Sequence, residues 1–381
     1  MKHSVLIFTT TYFPLVGGAE VAVKEITDRL PEQEFDLVCA KIKKDLPRLE
    51  NIGHVRVHRF GFGYAFDKYL FAAFGGCYGL WLTRRLKQPV IWAVMASYGG
   101  FAALVSRLFR RDARFLLTLQ EGDPLEHYTK RAGMFSSLHK LIFKHADAVQ
   151  AISRFLADWA KQMGFCGTPS VIPNGVDLEV FDVPQTAEER KRIRTEHGFA
   201  ENDIVLVTAS RLVTKNGVDL LIRSLVHLPI SYKALILGVG EDADALHAIV
   251  TELGLETRVV FAGSRPHREL VSFYQASDIF VRASRSEGLG NAFLEAMATG
   301  LPIIGTRVGG IPDFLLDGET GMFCKTENPV SLAQAVQHIW DDAALRAKLI
   351  EQGRALVRQK YNWNTIAGLF HDVLKQLVSN T

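Results

Sequence analysis

Ser284-Arg-Ser-Glu287-Gly-Leu-Gly-Asn-Ala-Phe-Leu-Glu295-Ala-Met-Ala-Thr-Gly-Leu-Pro302 is the stretch whose reading decides the fold. It opens as a loop after the apolar run Ile279–Val281 and closes at Gly-Leu-Pro before another apolar run, Pro302–Thr306. Between them Asn291–Thr299 reads as a helix. Strand, loop, helix and strand in one short segment form the unit of a parallel sheet covered on both faces. Gly288 and Gly290 bare backbone amides at the helix start, where the macrodipole is positive. Glu287 and Glu295 flank those amides. Two carboxylates able to accept hydroxyls, with N–H groups between them for phosphate, point to a sugar or nucleotide. Glu295 sits amid apolar neighbours, a costly place for an unpaired charge, which argues against a merely solvated side chain.

The same alternation runs outward in both directions. Toward the amino terminus the strand-like segments are Val5–Thr9, Phe35–Ala40, Val55–Phe60, Val90–Val94, Phe115–Leu119 and Ala148–Ile152. After Pro173-Asn-Gly175 the pattern restarts with Ile204–Ala209, Ala234–Leu237 and Val259–Ala262, with helical windows between. A chain of 381 residues exceeds the roughly 250–300 at which single cores stop growing. Two doubly wound α/β domains facing each other across a cleft are therefore expected. Ligands should sit beyond the carboxyl ends of the strands.

Three further loops follow strands. Gly17-Gly18 precedes a helix and lets an anion approach the backbone closely. Gly238-Val-Gly240-Glu-Asp-Ala243 satisfies a dinucleotide pattern, but the acidic residue expected about twenty positions on is missing. It reads as a turn, which leaves a nicotinamide-dependent oxidoreductase as a remote alternative. Ser210-Arg211-Leu-Val-Thr-Lys215-Asn-Gly217 leaves an apolar strand with two cations. Arginine grips phosphate oxygens bidentately and lysine adds a point charge, so the pair suits an anionic ligand.

Composition narrows the class. Apolar residues make up 48% and charged residues 22%, which excludes a disordered or fibrous chain. The four cysteines lie far apart without a C-x-x-C, against a zinc site or disulfide scaffold. Residues 1–170 hold 23 Lys and Arg against 15 Asp and Glu, a net +8, while 171–381 hold 21 against 26, a net −5. On charge alone the basic half suits an anionic lipid surface, a lipid-phosphate acceptor or nucleic acid as well as a plain solvated face. Tyr69–Leu82 and Gln88–Ser106 are uncharged but broken by glycines, and read as core. Val5–Phe8 reads as a first strand rather than a secretory segment, so a cytoplasmic location is expected.

The segment from Glu287 to Glu295 resembles the E-x7-E signature of retaining glycosyltransferases, family 4. PLVGGAE, IPNGVD, SRLVTKNG, GSRPHRELVSFYQASDIFVRAS, VGGIPDFLLDGETGMFC and YNWNTIAGLF match that family in the same order. The resemblance implies a GT-B architecture. Its first domain would span 1–170, its second, sugar-nucleotide-binding domain 173–362, and a last helix, about 363–381, would pack back on the first. By resemblance Arg211 and Lys215 bind the donor diphosphate and Gly17 and Gly18 close on it. Glu287 would hold the transferred sugar and Glu295 the ribose. The backbone of Gly288, Leu289, Gly290 and Asn291 would contact sugar and phosphate, and Arg265 would approach the base.

The resemblance implies sugar transfer from a UDP- or GDP-sugar to a saccharide or lipid-linked acceptor, with retention and without a metal or other cofactor. No nucleic acid is expected as partner. Many members of that family carry a histidine where this chain has Gln120, which can donate a hydrogen bond but not carry charge. Glu121, Asp123 and His127 are its candidate substitutes. The aromatic run Phe60–Phe71 beside lysines and arginines suits peripheral docking on an anionic membrane through residues 59–87, or a buried helix. A sugar-nucleotide epimerase of the same architecture, or a non-catalytic descendant, are the rival classes.

Overall fold

The computed structural model describes residues 4–84, 86, 88–124, 136–184 and 186–379. His127 lies outside them. The chain divides into two compact units: Met1–Asn174 together with Trp363–Thr381, and Gly175–Asn362.

The strands of the first unit are β1 (Ser4–Phe8), β2 (Glu34–Ala40), β3 (Leu49–Ile52), β4 (Val55–Phe60), β5 (Val90–Val94), β6 (Arg114–Leu119), β7 (Ala148–Ala151) and β8 (Ser170–Val171). They form one sheet in the order β3-β4-β2-β1-β5-β6-β7-β8. Every pairing is parallel except β3 with β4, where a short hairpin closes the edge. Strand order reverses at β1, between β2 and β5, so a crevice opens at its carboxyl end. Strands β1 and β5 are buried almost throughout because helices cover both faces.

Two helices complete the packing of this unit. Asp67–Thr83 turns Gly75, Gly76 and Gly79 inward, where added side chains would meet Phe71, Ala102, Val105 and Phe8. The Asp67 carboxylate accepts the amides of Phe62, Gly63 and Tyr64 at 2.6, 2.6 and 3.1 Å, which pins the loop leading into that helix. The final helix, Trp363–Ser379, buries Trp363, Ile366 and Phe370 in the core of the first unit. The Phe370 ring stands 4.5 Å from that of Trp92 on β5.

The second unit contains β9 (Ile204–Ala209), β10 (Tyr232–Leu237), β11 (Val259–Gly263), β12 (Ile279–Arg282), β13 (Ile303–Thr306) and β14 (Met322–Cys324). They pair in the order β11-β10-β9-β12-β13-β14, all parallel. Order reverses at β9, between β10 and β12, and the Arg211 and Glu287 loops leave the adjacent strands β9 and β12.

Phe370→Ala should destabilise the first unit by about 3–5 kcal/mol, the usual cost of truncating a fully buried aromatic. Leu369→Ala, at a position 45% exposed, should leave it nearly unchanged. Denaturant unfolding of the two variants checks the difference.

Candidate active site

In the second unit the site is assembled around one polar chain. Asn216, buried in the turn after β9, donates from Nδ2 to the Arg211 carbonyl at 2.7 Å. Its Oδ1 accepts from Nη2 of Arg282, the last residue of β12, at 2.8 Å. The same Nη2 lies 2.7 Å from Glu287 Oε2, and both side chains are 11% exposed. The Glu287 carbonyl accepts the Gly310 amide at 3.2 Å. Loops after β9, β12 and β13 are thus tied through Arg282 and its partners.

Backbone space dictates the glycines. Gly217 has φ +65°, and a Cβ there would stand 1.9 Å from the Ala283 carbonyl oxygen. At Gly309 a Cβ would come within 1.7 Å of the Glu287 carbonyl oxygen. The loops touch backbone to backbone, so neither position admits a side chain without movement.

Around this chain lie buried polar atoms whose hydrogen-bonding capacity is unspent. Thr208 Oγ1, Ser210 Oγ, Arg282 Nε, Ser284 Oγ and Glu287 Oε2 have no hydrogen-bond partner. Arg282 and Glu287 attract at 2.7 Å without the alignment of a hydrogen bond, so the carboxylate keeps lone pairs to offer. Buried polar groups are normally satisfied, and their concentration at the ends of adjacent strands marks a place made for a ligand. Arg211 is exposed and Lys215 half-buried on the same loop. Gly288, Leu289 and Gly290 are buried, and Gly290, with φ +102°, precedes the helix Asn291–Thr299.

Glu295 has partners that sequence reading did not identify. His267 Nε2 lies 2.9 Å from its Oε1, and the Tyr274 hydroxyl donates to Oε2 at 3.5 Å. Burial, then the Glu295 charge, holds the Tyr274 phenol protonated, well above its usual range. The expected cost of burying Glu295 is met by this pair. Arg265 lies with its guanidinium 5.1 Å from the centre of the Phe273 ring, and its Nε has no hydrogen-bond partner.

In the first unit, Gly17 precedes the helix Gly18–Asp28, but its amide donates to Glu20 Oε2 at 2.9 Å. Glu20 Oε1 accepts from the Thr11 hydroxyl at 2.7 Å. The chain's own carboxylate therefore takes the Gly17 amide. Gln120 follows β6, and its Oε1 accepts from Asn174 Nδ2 at 3.0 Å. Next to it Glu121 is 1% exposed. Its Oε1 accepts the Ala96 amide at 2.6 Å and its Oε2 has no hydrogen-bond partner. His139 Nε2, donating to the Ala96 carbonyl at 2.7 Å, holds the next peptide of the same residue.

Burial without a cationic partner pushes the Glu121 carboxyl up to about 7. A carboxyl raised in the folded state stays protonated there after the unfolded chain has lost its proton, so stability falls as pH rises from 4.5 towards 7. Glu121→Gln keeps the acceptor for Ala96 and removes the charge. Its stability relative to the parent should rise by roughly 3 kcal/mol between pH 4 and pH 8. Unfolding of both proteins across that range measures it.

Comparison with known proteins identifies the family and the fold. Residues 189–356 match the family described as glycosyl transferases group 1, and residues 16–180 match Glycosyltransferase Family 4. The chain is 35% identical to the lipopolysaccharide core biosynthesis glycosyltransferase LpsE of Rhizobium meliloti over 77% of each chain. It is 32% identical to a GDP-mannose-dependent alpha-(1-6)-phosphatidylinositol monomannoside mannosyltransferase of Mycolicibacterium smegmatis, over 58% of this chain and 60% of that one. The match spans only about half the length of another curated relative, at 51%. Among solved structures, sucrose-phosphate synthase from Thermosynechococcus elongatus superposes with a TM-score of 0.85 at 21% identity, covering all of both chains. Anabaena HepE in complex with UDP and glucose gives 0.81 at 20% identity, over 98% of this chain and 100% of that one. Both are likenesses of fold, and the fold is GT-B. Taken with the matched families and the LpsE identity, the chain belongs to the glycosyltransferases of group 1 and family 4.

Proposed function

We propose that this glycosyltransferase moves a sugar, with retention, from a UDP- or GDP-sugar to a hydroxyl of a saccharide or lipid-linked acceptor. It would serve glycan or surface polysaccharide biosynthesis, in the cytoplasm, in peripheral contact with an anionic membrane. The observation that carries the donor reading is the set of unsatisfied buried polar atoms at the ends of β9 and β12, beside two cations and a glycine-bared helix start. HepE binds UDP and glucose, and the mannosyltransferase relative depends on GDP-mannose, which supports a UDP- or GDP-sugar as donor.

In this reading Arg211 and Lys215 hold the diphosphate, and the amides of Gly288–Asn291 share its charge. Glu287 accepts hydroxyls of the sugar, steadied by Arg282. Glu295 accepts a ribose hydroxyl while His267 and Tyr274 fix its orientation. The bond from the anomeric carbon to the diphosphate breaks as the acceptor oxygen bonds to the same face of that carbon. The acceptor's proton passes to the departing phosphate oxygen. Negative charge grows on the leaving group, and fixed cations and amides stabilise it without reorganising. No resident metal is assigned a part.

Arg211→Ala and Lys215→Ala should each lower transfer about 10²–10³-fold, the usual loss for one such donor. A UDP- or GDP-sugar at a hundred times its dissociation constant should stabilise the parent by about 2.7 kcal/mol in thermal unfolding, unchanged by EDTA, and the Arg211→Ala protein far less. Stabilisation by NAD(P) in place of every sugar nucleotide would refute the donor assignment.

A further inference from the structure

We propose that the groove between the β3–β4 hairpin and the helix Asp67–Thr83 binds an acyl chain of an anionic membrane lipid, with the headgroup at its basic rim. The proposal rests on the reading that the enzyme contacts an anionic membrane, and it assigns that contact to residues of the first unit that the donor reading does not use. The groove has a volume of about 730 Å³ and is walled by Leu49, Phe62, Leu70, Phe74, Tyr78 and Trp81. Pockets that hold organic ligands commonly measure ~300–1,000 Å³.

The helix itself says that an apolar partner is missing. Between Tyr69 and Thr83 it carries no charged residue, and its glycine face is already buried against the helix Tyr98–Phe109 and the end of β1. The opposite face, which a surface helix fills with polar side chains, instead exposes Phe74 and Trp81. Phe62, Tyr64 and Phe66 extend the patch on the loop pinned by Asp67. Such contiguous apolar exposure marks an interaction surface.

The polar groups in the groove floor are spent inside the protein. His58 meets Asp36 at 2.8 Å and Tyr78 at 3.2 Å, and Arg59 is held by Glu50 and the carbonyls of Pro47 and Phe13. Arg56 grips Asp36 with both ends of its guanidinium. What the groove offers a ligand is therefore apolar wall.

Charge selects the occupant. Residues 41–84 hold eight Lys and Arg against three Asp and Glu, a net +5. Lys44 and Arg84 lie over the rings of Tyr64 and Trp81 at 4.6 and 4.5 Å, and Arg48 is exposed on the rim. Amphipathic aromatic rings topped by cations suit the boundary between acyl chains and anionic headgroups. A second copy of the chain would set one +5 surface against another, which disfavours self-association there.

Trp81 provides the probe. It is 54% exposed, whereas Trp92, Trp159 and Trp363 are at most 3% exposed and the fifth tryptophan, Trp340, is half-buried in the second unit. Vesicles of phosphatidylglycerol and phosphatidylcholine, brominated on the acyl chains, should sediment with the protein and quench Trp81 emission. Pure phosphatidylcholine should do neither. Trp81→Phe should still sediment but lose most of the quenching. Phe62→Glu with Phe74→Glu, both at exposed positions, should weaken sedimentation about tenfold or more, since each loses the burial of a phenyl ring. Its sugar-nucleotide thermal shift should match the parent's, which shows the fold intact and tests the donor reading separately. Sedimentation without Trp81 quenching would leave the membrane reading standing and overturn the groove. No sedimentation at low or physiological salt would overturn both. A lipid-free dimer that the double substitution dissociates would give the groove to a second copy instead.

Discussion

One guanidinium ties the Arg211 and Glu287 loops of the second unit. Arg282 ends β12 with its side chain 11% exposed, reaching Asn216 on one side and Glu287 on the other. A charge so buried persists only when compensated, and here the compensation is also the assembly of the site. Through Asn216 it fixes the carbonyl of Arg211, and through Glu287 it reaches the loop of Gly309 and Gly310. Without it, Glu287 would be a buried carboxylate that has lost the guanidinium 2.7 Å away, and Asn216 would lose the donor to its Oδ1. The geometry proposed for the donor depends on this pairing more than on either surface cation.

Much of the architecture is legible in the sequence because buried parallel strands are apolar runs. Val5–Thr9, Val90–Val94 and Ile204–Ala209 read as strands and fold within a residue of those limits. What escaped reading lacked that signal. Leu49–Ile52 is a partly exposed edge strand with alternate residues half-buried, and Ser170–Val171 is two residues long. The helix Ala187–Glu196 is mostly charge and lacks an apolar stripe, yet Arg194 is buried and reaches Asp278 at 3.3 Å while Arg190 meets the same carboxylate at 2.6 Å. These arginines join the helix to the residue that precedes β12. Likewise Arg110 is committed to Asp112 and to the carbonyls of Thr83 and Leu86.

For the site, the loops were legible and the connections between them were not. Strand-end position and glycines singled out Arg211, Lys215, Glu287 and Glu295, because a crevice at a reversal of strand order follows from topology. Arg282 stood in plain view as a cation closing an apolar strand, and Asn216 lay between Lys215 and Gly217 in the same loop. Their roles are long-range contacts, which spacing along one chain does not encode. His267 is separated from Glu295 by an intervening strand, and only the fold brings the two to 2.9 Å. Glu121 carried a hint, since a carboxylate directly after a buried strand either faces solvent or shifts its proton affinity. Its burial decides for the second.

The central claim is that Arg282 organises a donor pocket that works with retention of configuration. NMR of a panel of UDP- and GDP-sugars incubated with the enzyme, without acceptor, tests it most directly. One donor should be slowly hydrolysed, its sugar appearing first in the donor's own anomeric configuration, and the rate should collapse in Arg282→Met although Arg211 and Lys215 remain. Release of the opposite anomer, or turnover unchanged by Arg282→Met, would contradict the account.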